Sequence, residues 1–229
     1  MNRFFLYAVM LFCFFTLSAQ EKKRFTINPG ERPSDKIPRE EIYHFPEFTM
    51  AAISMKSGLA TQAKLNYNCL YGEMQFIDAK GDTLSIADEN NIRWIAAGKD
   101  TFYFQGGWLE LISNNTNSKL VKNKMLQISN KEKIGGMDVP AFGAIETNTK
   151  STASQQTRDL VAKERLTYTA YNKYYFGDRF NHFFPATKKS LLKIYGKQQQ
   201  EIEQYLRDNK IDFFAEEDLK KMAVFLQSL

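Results

Sequence analysis

Ala63-Lys64-Leu65-Asn66-Tyr67-Asn68-Cys69-Leu70-Tyr71-Gly72-Glu73-Met74-Gln75-Phe76-Ile77-Asp78-Ala79-Lys80-Gly81-Asp82-Thr83-Leu84-Ser85-Ile86 is the stretch that decides the fold. Apolar and polar residues alternate, the period of a half-buried strand. Leu65, Tyr67, Cys69 and Tyr71 are expected on one face of a strand over 63–71. Met74 and Phe76 follow with Gln75 opposite. Asp78 to Asp82 reads as a tight turn in which Gly81 supplies a positive φ. Thr83 to Ala87 is the return strand, with Leu84 and Ile86 on one face.

The same rhythm runs outward from there. Met50 to Lys56, Ile92 to Ala96, Thr101 to Gln105, Trp108 to Ile112 and Leu120 to Ile128 are further strand candidates, separated by Ser57-Gly58, Gly98-Lys99-Asp100, Gly106-Gly107 and Asn114 to Asn117. Strands this close in sequence favour antiparallel hairpins. After an irregular stretch rich in Gly and Thr, Leu166 to Phe176 alternates again, placing Leu166, Tyr168, Ala170, Tyr174 and Phe176 together. A mobile loop is expected near 131–164, with a short helix near Thr157 to Lys163.

The C-terminal segment changes period. Thr187 is placed to cap a helix through Tyr195, with Gly196 as a left-handed stop. Lys197 to Asn209 is a second helix with Ile202, Tyr205 and Leu206 inward. The third, 215–228, carries the stripe Leu219, Met222, Ala223 and Leu226. Glu216, Glu217 and Asp218 in its first turn suit the positive end of the helix dipole. The fold class is therefore α+β: a mainly antiparallel β domain (meander, sandwich or barrel-like) with a C-terminal segment of two to three short helices.

The N-terminal end speaks to compartment. Met1-Asn2-Arg3 precedes the apolar run Phe4 to Phe15, then Thr16-Leu17-Ser18-Ala19. This is the three-part pattern of a secretory signal peptide, cleaved after Ala19. The run is shorter than the roughly 20 apolar residues a spanning helix needs. Cys13 sits inside the run rather than at a cleavage point, so no lipobox is present. The expected organisation is a signal peptide at 1–19, an extended arm at 20–46, a β-rich domain at 47–185 and a helical segment at 186–229. Four of the six prolines fall in the arm (Pro29, Pro33, Pro38, Pro46) and argue against regular structure there. Ile37, Ile42, Tyr43 and Phe45 remain available to dock on the body.

Composition narrows the chemistry. The formal net charge is +5 over 229 residues, with the signs interspersed. That is too mild for a nucleic-acid binder. With Cys13 removed, Cys69 is left without an internal disulfide partner and reads as a buried thiol, or else as a reactive or intermolecular one. His44 and His182 lie far apart, with no second ligand at helical spacing, so no metal site or cofactor is expected. Asp78, Asp82, Asp88 and Glu89 do not match a calcium loop. No G-x-S-x-G elbow, phosphate loop or dinucleotide fingerprint is present.

Two segments carry a family resemblance: Leu65 to Asn68 with Tyr71 to Asp78 and Gly81 to Leu84, and the end from Lys197 to Leu229. Together they resemble uncharacterised secreted proteins of Bacteroidetes-type bacteria. The resemblance implies export, a β-rich body and a helical end, and it transfers no catalytic residue.

The remaining candidates define a ligand or partner surface. Glu73 interrupts apolar residues and would pair with Arg93 or a lysine if buried. The alternative is a bulge at Gly72 that turns Glu73 to solvent, or a single structural hydrogen bond. Trp94, Trp108, Tyr171 and Tyr175 could line an aromatic face that packs as core, anchors a protein or stacks on a sugar. The leading expectation is an exported, periplasmic or secreted envelope protein that binds other envelope proteins and is not an enzyme. A small-ligand or glycan-binding β domain is the alternative, with a hydrolase lacking a recognisable motif third.

Overall fold

The computed structural model describes residues 23–114, 118–133 and 161–229. The expected leader, the first residues of the arm and most of the expected loop near 131–164 lie outside the described residues.

The body is one antiparallel sheet. Its strands are β1 (Arg24–Ile27), β2 (Thr49–Met55), β3 (Ala60–Asn68), β4 (Glu73–Ile77), β5 (Thr83–Ser85), β6 (Ile92–Ala97), β7 (Asp100–Phe104), β8 (Trp108–Asn114), β9 (Ser118–Glu132), β10 (Arg165–Asp178) and β11 (Phe183–Pro185). The spatial order is β1-β10-β9-β8-β7-β6-β2-β3-β4-β5, with β11 on β10. Apart from the step from β6 to β2 and the returns of β1 and β10, neighbours in space are neighbours in sequence. The expected hairpins are therefore present.

The ladder is open, yet the sheet curls. β8 pairs with β9 only over Lys119 to Lys122. Further along β9, the corner after β3 takes over: Leu126 N donates to Cys69 O at 2.8 Å, and Tyr67 Oη donates to Lys124 O at 2.7 Å. The inner face encloses Ala51, Ile53, Leu65, Tyr67, Cys69, Met74, Ile95, Phe102 and Trp108. Each large side chain buried there contributes about 1.5–3 kcal/mol.

The arm is less extended than its prolines suggest. It contains β1 and two single-turn helices, α1 (Pro33–Lys36) and α2 (Arg39–Ile42). Pro33 opens α1 and Pro38 precedes α2, positions where a missing N–H costs nothing, so these prolines start turns instead of preventing them. Ile37 and Ile42 are buried with Leu70, Tyr71, Leu126 and Tyr168 in a second core.

Tyr71 thus departs from its expected face. β3 ends at Asn68, whose Oδ1 accepts from Leu70 N and Tyr71 N at 3.0 Å each. That turn, completed by Gly72 at φ +73°, swings Tyr71 away from Leu65, Tyr67 and Cys69.

Three helices follow: α3 (Lys188–Ile194), α4 (Gln199–Asn209) and α5 (Glu216–Gln227). Thr187 caps α3 by accepting from Ser190 N at 3.2 Å. Gly196 does not adopt the left-handed conformation expected of it; it opens a 3-10 turn, Gly196–Gln198, and the left-handed cap is Lys210 at the end of α4 (φ 47°). Leu191, Ile202, Leu219, Met222 and Leu226 pack on Leu120 and Phe176 of the same inner sheet face. Residues 161–163 are not helical, and the rest of the helix expected near 157–163 lies outside the described residues.

Candidate functional site

One rung crosses the inner face. Ile53 pairs with Ile95, Ile95 with Phe102, Phe102 with Glu110, Glu110 with Lys122 and Lys122 with Tyr174. The rung is apolar on β2, β6 and β7 and polar on β8, β9 and β10. Its polar half runs from Phe102 of the enclosed core to Tyr174, which packs against the helix core.

Two further elements cover it. Glu216, in the first turn of α5, lies 3.3 Å from Lys122 Nζ and accepts from Tyr174 Oη at 3.2 Å. His44, from the arm, lies over β7 and β8. His44 Nε2 is 3.0 Å from Asp100 Oδ2, and its Nδ1 is 3.8 Å from Glu110 Oε2. Lys122 Nζ is 3.6 Å from that same Glu110 oxygen. Asp100, His44, Glu110, Lys122, Glu216 and Tyr174 therefore form a continuous half-buried chain of polar groups.

The arm holds His44 firmly. His44 N donates to Tyr67 O at 2.9 Å, and Cys69 N donates to Ile42 O at 2.6 Å. Asn66, fully buried, clamps Phe45 through both its amide atoms: its Oδ1 accepts from Phe45 N at 3.0 Å and its Nδ2 donates to Phe45 O at 2.8 Å. The imidazole then meets the rings of Phe45 and Phe102 edge-on at 4.5 and 5.3 Å.

Electrostatics follow from this packing. Burial works to raise Glu216, but the Lys220 hydrogen bond and the Lys122 charge outweigh it, and its carboxyl sits below the ordinary glutamate value. Burial, reinforced by the Glu216 charge, pushes Tyr174 up to about 12, so it stays a hydroxyl donor. Burial likewise pushes the Cys69 thiol up to about 11, the environment of an inert cysteine. Among the described residues, His44, Asp100 and Glu110 bring metal-ligating atoms within reach of each other.

The six residues singled out from the sequence do not converge. Glu73 is half-buried and accepts from Ser85 Oγ at 2.7 Å, while Arg93 is exposed; no ion pair joins them among the described residues. Trp108 is sealed in the enclosed core, its Nε1 donating to Glu89 Oε1 at 2.7 Å. Trp94 and Tyr175 lie on the outer face instead, packed against Tyr103, Leu109, Val121 and Phe183. Tyr171 shares that face by strand parity with Tyr175, and Lys173 Nζ stands 5.3 Å from its ring centre.

Sequence reasoning missed the His44 to Glu216 chain. One signal was present: Glu110 and Lys122 occupy inward positions in step with Trp108 and Leu120. No family model, curated protein or solved structure matches this chain.

Proposed function

We propose that this chain is exported to the cell envelope and acts there as a non-enzymatic binding protein, docking a protein partner on the outer face of its sheet. The leader pattern at 1–19 and the resemblance to secreted proteins support the compartment. The outer face carries the binding reading: Trp94, Tyr171 and Tyr175 remain half-buried there, on the side of the sheet opposite the arm and the helices. Stiff amphipathic rings on an otherwise stable sheet supply contact area at small entropic cost. Among the described residues no helix is long and apolar enough to cross a membrane.

Photo-crosslinking in intact cells tests this reading. A photoreactive residue at Tyr171 should yield a discrete envelope-protein adduct, and one at exposed Lys189 on α3 should not. The processed chain should begin at Gln20 in the envelope fraction. Identical adducts from both positions, or none, would sink the docking surface. Binding of isolated envelope polysaccharide with a shift in Trp94 fluorescence would put the glycan reading in its place.

A further inference from the structure

We propose that His44, Asp100 and Glu110 form a binding site for a divalent transition-metal ion of the zinc class. One ligand atom from each lies within 4.8 Å of the others. They come from three separate elements: the arm, the start of β7 and the middle of β8. A zinc-type ion, with bonds of about 2.0–2.2 Å, sets neighbouring ligand atoms roughly 3–3.6 Å apart. A single imidazole nitrogen binds the ion: His44 Nε2, 3.0 Å from Asp100 Oδ2, already stands at that spacing, and Glu110, which faces Nδ1 at 3.8 Å, must turn to join it.

The charge distribution supports an added cation. Among the described residues, Asp100, Glu110 and Glu216 are gathered with Lys122 and Lys220 as the permanent cations paired to them. Lys220 serves Glu216 and Glu217, and Lys122 is shared between Glu110 and Glu216. Among the described residues the ion-pair partner of Asp100 is His44 alone. Two carboxylates on adjacent strands of a half-buried face repel unless a cation lies between them. The side chains of His44, Asp100 and Glu110 are 14%, 19% and 17% exposed, so water screens them poorly.

Ligand chemistry selects the class. One imidazole and two carboxylates suit zinc, cobalt, nickel or manganese; calcium and magnesium prefer oxygen alone, and copper(I) prefers sulfur. Phe45 and Phe102 wall the imidazole, and the backbone bonds of the arm hold it in place, so little ordering is required on binding. Lys122 already contacts Glu216 and can remain there when Glu110 turns to the ion.

The purified, EDTA-stripped protein should be titrated with Zn2+ by calorimetry and with Co2+ by visible absorption. One equivalent should bind with Kd on the order of 10 μM or tighter. The Co2+ spectrum should lack a thiolate charge-transfer band. His44→Gln and Asp100→Asn should each weaken binding at least about tenfold. His182→Gln should leave it unchanged, and Lys122→Met, which removes the cation competing for Glu110, should tighten it. If His44→Gln loses its near-UV circular dichroism, Glu110→Gln and the wild-type Co2+ spectrum decide. No saturable uptake up to about 100 μM metal overturns the proposal. So does undiminished binding by folded His44→Gln, or a thiolate band.

Discussion

Leu126 on β9 donates its backbone N–H to the carbonyl of Cys69, the residue that follows β3, at 2.8 Å. β9 and β3 lie five places apart in the sheet, so this bond between β9 and the corner after β3 reports the curl directly. Beside it, Tyr67 Oη donates to Lys124 O at 2.7 Å. These contacts draw the meander into an enclosure around Phe102 and Trp108, and they set the arm beside the charged rung.

Tyr67→Phe tests the closure. It removes a buried hydroxyl and strands the Lys124 carbonyl. The expected loss is about 1–2 kcal/mol in urea denaturation, without a change in secondary structure. A loss below about 0.5 kcal/mol would mean the carbonyl finds another donor and the bond contributes little to the curl.

Asn68 holds the corner that makes the closure possible. Its side chain accepts from Leu70 N and Tyr71 N and donates to Gln75 Oε1 at 3.2 Å, all within the interior. Asn68→Ala leaves two buried N–H groups unpaired. It should cost about 2–4 kcal/mol, more than Tyr67→Phe. Thermal unfolding of the two variants side by side gives the ranking, and the reverse order would refute this account of the corner.

What the sequence made legible follows from what is local. Alternation and turn residues are local, so the strands from Thr49 to Glu132 could be read within a few residues. The helix stripe of Leu219, Met222, Ala223 and Leu226 was readable for the same reason, and all four are buried. Cys69 was read as buried because free cysteine packs as a small apolar group. Cross-strand register is non-local. His44 is 56 residues from Asp100, and Glu216 is 94 from Lys122. Nothing in the spacing of these residues foretells their meeting. The inward charges at Glu110 and Lys122 were the one readable trace, and they needed the register of β8 on β9 before they paired. Of the four rings read as an aromatic face, Trp94, Tyr171 and Tyr175 share the outer side of the sheet and Trp108 points into the enclosed core, because successive side chains point to opposite faces and only the register fixes which strand positions line up.

Lys210 predicts a stabilising change. It ends α4 with φ and ψ both at 47°, a conformation in which a Cβ is strained. Lys210→Gly should gain about 0.5–1 kcal/mol, the relief at the cap exceeding the added freedom of the unfolded chain. Chemical denaturation should show a higher midpoint at unchanged slope. A lower midpoint would mean that the lysine side chain contributes more than the strain removes.

Glu216 makes the charged rung acid-sensitive. Its folded pKa lies below the ordinary 4.5, because the Lys220 hydrogen bond and the Lys122 charge overcome the opposing effect of burial. A carboxyl with a lowered folded value binds its proton more readily in the unfolded chain. Its stabilisation is therefore complete above pH 4.5 and declines as pH falls toward and through the lowered folded value. Glu216→Gln lacks that titration but keeps an oxygen acceptor for Tyr174. The difference in unfolding free energy between the two proteins should be constant from pH 6 to pH 5 and shrink below about pH 4.5, where the wild type loses its advantage. Urea titrations at half-unit steps measure it directly. A difference that stays constant down to pH 3 would show that Glu216 is not the group through which acid loosens α5 from the sheet.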